Sequence, residues 1–144
     1  MEIKDYVKKY DPQNQFNVLL NTYQQIEFAW KNNFSIDKIN KSDISNIIIS
    51  GLGGSAISAD LIKNYLGNEI AIPIIVNRNY NLPKFARKNT LFIASSYSGN
   101  TEETISALKQ AIELDCKIVC ITTGGEVEAI AKNKNIPCIK VQPG

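Results

Sequence analysis

Short apolar runs alternate with segments of helical periodicity from residue 46 to the end of the chain. Asn46–Ser50 contains three consecutive isoleucines, a pattern typical of a strand that is buried on both faces. Similar runs follow at residues 71–76, 90–95, 117–122 and 137–141. Because strands that alternate with helices favour βαβ units, we expect an α/β domain with a mostly parallel sheet.

Helices are predicted between these strands at residues 55–66, about 101–114 and 126–132. Gly67 follows the first of them and is placed to stop it. In the second helix the apolar face is expected to point toward the core. The apolar side chains that share one face are Ile57, Leu61 and Tyr65 in the first helix, and Ile105, Leu108 and Ile112 in the second.

The first 44 residues precede this pattern and contain another predicted helix. Asp11-Pro12 resembles a helix start, with Asp at the N-cap and Pro at the first helical position. Asn32-Asn33 is expected to end the helix. We expect this helical segment, residues 1–44, to pack on a single domain formed by residues 45–144. The apolar face of its helix carries Leu19, Tyr23, Ile26 and Trp30.

Charge and composition argue against several classes of function. The 16 basic and 14 acidic residues are mixed along the chain, so neither a nucleic-acid partner nor a membrane surface is expected. No apolar run approaches the roughly 20 residues that span a bilayer, and the N-terminus lacks the apolar region of a signal peptide. The three cysteines, an odd number, do not suggest a disulfide framework. We expect a reduced, cytoplasmic protein.

The sequence of 144 residues contains no histidine. That removes any Ser-His-Asp triad and the commonest metal ligand. Proton transfer near pH 7 would need a carboxylate, a lysine or another polypeptide. We therefore assign no catalytic residue in this chain and expect no metal site.

A serine-rich turn, residues 95–101 (the serine loop), lies between a predicted strand and a predicted helix. Backbone N–H groups at a helix start, together with the helix dipole, form an anion site. Ser96, Ser98 and Thr101 add hydroxyl donors, and Gly99 permits a positive φ or a close approach. A phosphate monoester offers three acceptor oxygens and matches this set. Helix capping alone would need only one such residue, although Asn100-x-x-Glu103 also resembles a capping box.

A second turn, residues 51–56 with the sequence GLGGSA (the glycine loop), follows the first strand. In the strand order 2-1-3-4-5 it would neighbour the serine loop at the carboxyl edge of the sheet, where ligands bind. The turn also fits the weak dinucleotide fingerprint G-x-G-x-x-A. That alternative requires an acidic residue about 20 positions later. Asn77 and Arg78 stand there instead, so NAD is disfavoured, while Arg78 leaves NADP open.

The two loops together resemble those of the SIS (sugar isomerase) domain family. The separation of GLGGSA from SSYSGNTEET is similar to the family's, and the likeness extends over nearly all of the chain from residue 45. Within the family, the pair is most similar to the N-terminal domain of bifunctional phosphoglucose/phosphomannose isomerases. Two further segments resemble that group: Arg78-Asn79-Tyr80-Asn81-Leu82-Pro83 and Ile121-Thr122-Thr123-Gly124-Gly125.

The resemblance implies a three-layer αβα sandwich around a five-stranded parallel sheet of order 2-1-3-4-5. It implies an aldose–ketose isomerase that converts glucose 6-phosphate or mannose 6-phosphate to fructose 6-phosphate through an enediolate, with no metal or organic cofactor. The residues expected to hold the substrate phosphate are Gly53, Gly54, Ser55, Ser96, Ser98 and Thr101, with Tyr97, Gly99 and Asn100 in support.

The sequence departs from the family in length and in its catalytic residues. The resembled isomerases are about twice as long and contain two SIS domains. Their catalytic glutamate, histidine and lysine come from the second half or a partner subunit, and no position here matches them. We therefore interpret the chain as the N-terminal half of such an enzyme, which pairs with a second SIS domain or with a homo-oligomer partner. The alternative is a noncatalytic regulatory module that binds a phosphosugar.

Overall fold

The computed structural model describes residues 2–31 and 43–142. The chain divides into two compact units, Met1–Phe34 and Ser35–Gly144. In the described ranges, no helix is long and apolar enough to cross a membrane.

The described residues of the N-terminal unit form three short helices where the sequence predicts one. The predicted start at Pro12 is wrong, because Asn14 adopts a left-handed conformation (φ 56°) and the helix begins after it. Asp11 still serves that helix start, since its carboxylate accepts the N–H groups of Gln15 and Phe16 at 2.8 and 2.7 Å. The expected end at Asn32-Asn33 lies outside the described residues, and packing on the domain stays a prediction. The helices are α1 (Ile3–Tyr10), α2 (Gln15–Leu20) and α3 (Thr22–Lys31).

The second unit is built on a five-stranded parallel sheet. Its strand order is β2-β1-β3-β4-β5, which confirms the predicted order 2-1-3-4-5. The second strand starts later than the sequence pattern suggested: Pro73, which lacks an N–H group, precedes it, and the Pro73 carbonyl accepts the N–H of Ile47 at 2.9 Å. The strands are β1 (Asn46–Ser50), β2 (Ile74–Asn77), β3 (Thr90–Ser96), β4 (Lys117–Thr122) and β5 (Cys138–Lys140).

Helices cover both faces of the sheet, as an αβα sandwich requires. Consecutive isoleucines of β1 point to opposite faces: Ile49 packs with Ala59 of the helix after β1, whereas Ile48 packs with the two later helices. This alternation explains the run of three isoleucines, because both sides of the strand are buried. The helices are α4 (Gly53–Leu66), α5 (Glu102–Glu113) and α6 (Gly125–Asn133).

Helix α4 packs on the sheet through its smallest residues. Ala56 and Ala59 are buried, while Ile57, Leu61 and Tyr65 are 59, 66 and 76% exposed. The apolar face that the sequence identified on this helix therefore points away from the domain's own core. Helix α5 behaves as predicted, with Ile105 and Leu108 buried and Ile112 packed against them.

Candidate functional site

The carboxyl edge of the sheet is polar even where it is buried. Four of the five described strands end in a polar residue that is at most 5% exposed. At one of these ends the Asn77 amide donates to the carbonyl of Asn79 at 3.0 Å and approaches the Ser50 hydroxyl at 3.4 Å. Two strands also begin with a buried polar residue, Asn46 and Thr90, so buried polar side chains are more numerous at the carboxyl edge rather than confined to it. The four terminal residues are Ser50, Asn77, Ser96 and Thr122.

The glycine loop leads directly from β1 into α4. Gly53, with φ +51°, is the first residue of the helix. The N–H groups of Ser55 and Ala56 donate back to the Leu52 carbonyl at 3.1 and 3.4 Å. The N–H groups of Gly53 and Gly54 precede this first bond and have no acceptor within the helix. They remain available to an anion at the positive end of the α4 dipole.

Hydroxyl groups organise the serine loop. The Ser96 and Thr101 oxygens lie 2.9 Å apart and share a hydrogen bond, and Ser96 also accepts the N–H of Gly99 at 3.1 Å. Ser98 is exposed and accepts the N–H of Asn100 at 3.2 Å, so its own proton can be donated outward. Ser96 is thus a buried support of the loop, whereas Ser98 presents its hydroxyl to solvent.

Helix capping does not account for the composition of the serine loop. Helix α5 begins at Glu102 with Thr101 at the N-cap, and the Thr101 side chain makes no capping bond to the helix. The Asn100 side chain is used elsewhere, because it accepts the N–H of Glu126 at 3.0 Å, at the start of α6. The Thr101 hydroxyl is therefore not used to cap α5, and the first N–H groups of that helix have no intrahelical acceptor.

The two loops meet at a single cavity of about 550 Å³. Among the expected phosphate ligands, Gly54, Ser55, Ser98 and Thr101 line it, and so does Tyr97. Ser96 is not in the lining but is hydrogen-bonded to Thr101, and Gly53 is the first residue of α4. The cavity therefore combines hydroxyls from both loops with the N-terminal ends of two helices. Its lining residues are Leu52, Gly54, Ser55, Ser58, Tyr97, Ser98 and Thr101.

Ser58 is a lining residue that the sequence analysis missed. It lies three residues after Ser55, about one helical turn away, and its hydroxyl donates to the Gly54 carbonyl at 3.0 Å. The Ser55-x-x-Ser58 spacing could have identified it, since both side chains fall on one face of α4.

The loop between β4 and α6 supports the serine loop from behind. The N–H of Val127 donates to the Gly99 carbonyl at 2.9 Å, and the Thr123 hydroxyl donates to the Tyr97 carbonyl at 2.7 Å. Gly99 has φ +70°, and a Cβ there would lie 1.8 Å from the carbonyl oxygen of Gly124. Gly99 and Asn100 thus act as structural supports that hold the serine loop against its neighbour.

Size alone does not single out this cavity. Two others of about 530 Å³ lie elsewhere on the same unit. One is at the amino edge of the sheet, and its lining includes two aspartates and two lysines but no hydroxyl side chain. The second lies between the end of α4 and the start of β2 and includes Ile70, Ile72 and Pro73. Of these three cavities, only the one at the two loops joins hydroxyl donors to helix N-termini.

The lining of the cavity carries no charged side chain. Among the described residues that line it, the only ionisable group is the Tyr97 phenol. The carboxylate of Glu102, the residue after Thr101, lies outside the lining and accepts the Tyr80 hydroxyl at 3.2 Å. This hydrogen bond, with the nearby charge of Glu103, raises the pKa of Tyr80. The site therefore offers neutral donors and helix dipoles to an anion.

A family comparison agrees with this geometry. The model of the SIS domain matches residues 39–144, which include both loops and all five strands. The chain belongs to the SIS domain family. In this SIS chain, the glycine loop and the serine loop are the segments that surround the cavity.

Curated relatives of the SIS chain include bifunctional phosphoglucose/phosphomannose isomerases. The protein of that name from Caldicellulosiruptor bescii is 41% identical over 131 residues, which cover 90% of this chain and 38% of the relative. The one from Thermoplasma acidophilum is 41% identical over 100 residues, covering 69% of this chain and 30% of the relative. The chain thus spans well under half the length of these curated relatives.

A solved structure shares the fold of the SIS chain at low sequence identity. Tagatose-6-phosphate ketose/aldose isomerase from Escherichia coli matches with a TM-score of 0.57 at 17% identity, over 98% of this chain and 37% of that one. The expected three-layer α/β architecture is therefore found in a structural neighbour as well as in the chain itself.

Proposed function

We propose that this chain is the phosphosugar-binding part of an aldose–ketose isomerase that interconverts glucose 6-phosphate or mannose 6-phosphate with fructose 6-phosphate. The observation that carries the proposal is the convergence of the glycine loop and the serine loop on one cavity. The relatives named phosphoglucose/phosphomannose isomerase supply the substrate class.

The chemistry of the cavity suits a phosphate monoester. Near pH 7 such a group carries between one and two negative charges and three terminal acceptor oxygens. The hydroxyls of Ser55, Ser98 and Thr101 can donate to those oxygens, as can the N–H groups of Gly53 and Gly54. The N-termini of α4 and α5 both contribute positive potential, which compensates for the absence of a lysine or arginine from the lining.

Phosphate binding would orient the substrate without performing the proton transfer. In the proposed reaction the sugar ring opens and a proton moves between C2 and C1. The phosphate is remote from those atoms, so its binding energy serves to position them. We assign no catalytic residue within the chain and propose that a second SIS domain or another subunit supplies the general base. The exposed apolar side chains of α4, including Ile57 and Leu61, support an association of this kind.

The proposal places the protein in the cytoplasm and gives it a hexose 6-phosphate as its ligand. The three cysteines, Cys116, Cys120 and Cys138, are free thiols, as is usual in a reducing compartment. Nucleic acids and membranes are not proposed as partners.

A titration followed by amide NMR spectra tests the binding proposal. Fructose 6-phosphate added to the chain is expected to shift the amide signals of Gly53, Gly54 and Ser98 in a saturable manner, even if the dissociation constant is millimolar. Unphosphorylated fructose is the matched control, since it differs only in lacking the phosphate. Equal shifts with both sugars, or shifts confined to the amino edge of the sheet, would refute the assignment.

A further inference from the structure

The segment Arg78–Pro83, which follows β2, connects to both helices that border the cavity. Arg78 forms an ion pair with Asp60 of α4. Two residues later, the Tyr80 hydroxyl donates to the Glu102 carboxylate at 3.2 Å, at the start of α5. The proposed phosphate chemistry uses neither contact, so the segment needs a separate explanation.

The backbone around Tyr80 is fixed to α5 by one side chain. The amide of Gln110 donates to the Tyr80 carbonyl at 2.7 Å, and its oxygen accepts the N–H of Leu82 at 3.1 Å. Leu82 also packs against the larger core cluster. The Tyr80 side chain is 48% exposed, but its main chain is anchored to α5, and its hydroxyl reaches the start of that helix.

Glu102 is the residue whose position matters most to an anion in the cavity. It directly follows Thr101, a lining residue, but its own carboxylate lies outside the lining. A carboxylate that turned toward the cavity would repel a phosphate dianion, with an energy that grows as the separation falls. A tyrosine hydroxyl is already protonated near neutral pH, and the hydrogen bond to Glu102 raises the pKa of Tyr80 further, so the hydroxyl is the donor in this contact.

We propose that Tyr80 is a positioning residue for the phosphate site: its hydroxyl holds the Glu102 carboxylate away from the cavity. This inference rests on the proposed function and deepens it. It explains how a helix start with two consecutive glutamates can still accept an anion. The carboxylates retain their favourable interaction with the α5 dipole, while the hydrogen bond keeps the nearer one from the ligand.

A double-mutant cycle tests the proposal with the 144-residue chain. The dissociation constant of fructose 6-phosphate is measured by NMR titration for the wild type, Tyr80→Phe, Glu102→Gln and the double variant. Tyr80→Phe is expected to weaken binding about two- to fivefold, the range for moving one charge a few ångströms toward a dianion in a solvated site. In the Glu102→Gln background, the same substitution is expected to change the dissociation constant little.

Tyr65→Phe is the matched control, because Tyr65 is an exposed tyrosine on α4 ten residues beyond Ser55, about 15 Å along the helix axis. It is expected to leave the dissociation constant unchanged. Equal weakening by Tyr80→Phe in both backgrounds would overturn the inference, since Tyr80 would then act through the shape of the loop. No weakening in either background would overturn it too. A wild-type chain that binds no fructose 6-phosphate would refute the proposed function itself.

Discussion

At the scale of single residues, the hydroxyls of the serine loop divide into two kinds. Ser96 is 2% exposed and already bonded to Thr101 and to the N–H of Gly99. Ser98 is exposed and lines the cavity. Substitution at these two positions should therefore have different effects, on the stability of the loop in the first case and on ligand affinity in the second.

Ser98→Ala is expected to weaken binding of fructose 6-phosphate by about 1 kcal/mol or more, which is roughly fivefold, because a hydrogen bond to a charged group is lost. NMR titration measures the affinity, and thermal unfolding should show little change. Ser45→Ala, which removes a hydroxyl near the amino edge of the sheet, is the control and should leave the affinity intact. Unchanged affinity in Ser98→Ala would contradict the assignment of the serine loop.

The buried thiol of Cys120 predicts a loss of stability at alkaline pH. Burial raises its pKa to about 12, while an unfolded thiol ionises near pH 9. Above pH 9 the unfolded state therefore loses a proton that the folded state retains, so the free energy of unfolding falls as pH rises toward 12. This thiol alone contributes a slope of up to about 1.4 kcal/mol per pH unit.

Urea unfolding of the wild type and of Cys120→Ala, measured between pH 8 and 11, tests this prediction. The variant should be less stable near pH 8, where the cavity left by the sulfur dominates. Its stability should then decline less steeply than that of the wild type. Parallel pH profiles for the two proteins would show that Cys120 does not titrate as expected.

At the scale of elements, the serine loop depends on the loop between β4 and α6. Gly99 and Gly124 are in direct backbone contact, and the carbonyl of Gly99 accepts the N–H of Val127. The loop that lines the cavity is therefore held by residues more than 20 positions later in the chain. Substitutions at this contact should therefore lower the free energy of unfolding more than they lower the affinity for the ligand.

Gly99→Ala is expected to destabilise the protein by about 2–4 kcal/mol, since it adds both a left-handed alanine and a clash with the Gly124 carbonyl. Chemical denaturation measures the difference. Gly54→Ala is the control for stability, because its Cβ would meet no heavy atom within 4 Å. The free energy of unfolding of this variant should be at least that of the wild type. Similar free energies of unfolding for the two variants would contradict the prediction that a side chain at position 99 clashes with the Gly124 carbonyl.

Sequence predicted those elements whose signals are local. The isoleucine run of β1, the apolar face of α5 and the hydroxyl-rich turn at 95–101 were each visible within a short window. The role of Asn100 was not, because its partner Glu126 is 26 residues away and capping of its own helix is the local alternative. The start of α2 was misplaced for a different, local reason, since the left-handed conformation of Asn14 overrides the Asp-Pro signal.

At the scale of the whole molecule, the sheet order brings the two loops together. β1 and β3 are hydrogen-bonded neighbours, with Ser50 paired to Ala94, so the segments that follow them leave the sheet side by side. A Cβ on Gly51 would lie 2.7 Å from the Ser95 carbonyl, which shows how closely the loops approach. Parallel pairing of these strands is thus what builds the cavity from segments about 40 residues apart.

We expect the isolated 144-residue chain to isomerise hexose 6-phosphates poorly or not at all. A positioned general base typically contributes about 10²–10⁴-fold, and we propose that this group comes from a second SIS domain or subunit. A coupled assay of fructose 6-phosphate formation measures the rate, with a full-length bifunctional isomerase as the positive control. Turnover by the chain near the rate of that enzyme would refute the division of roles.

The contact between Gly99 and Gly124 has a consequence for anyone who wishes to re-engineer this edge of the sheet. A side chain cannot be introduced at Gly99 or Gly125 without displacing the backbone of the opposite loop, because a Cβ at these positions would lie 1.8 and 2.6 Å from a carbonyl oxygen of that loop. Libraries that randomise either of these glycines alone should yield mostly destabilised clones. A transplant that carries both loops from the same donor protein keeps the fit, and new ligand preferences are best sought by exchanging them as a pair.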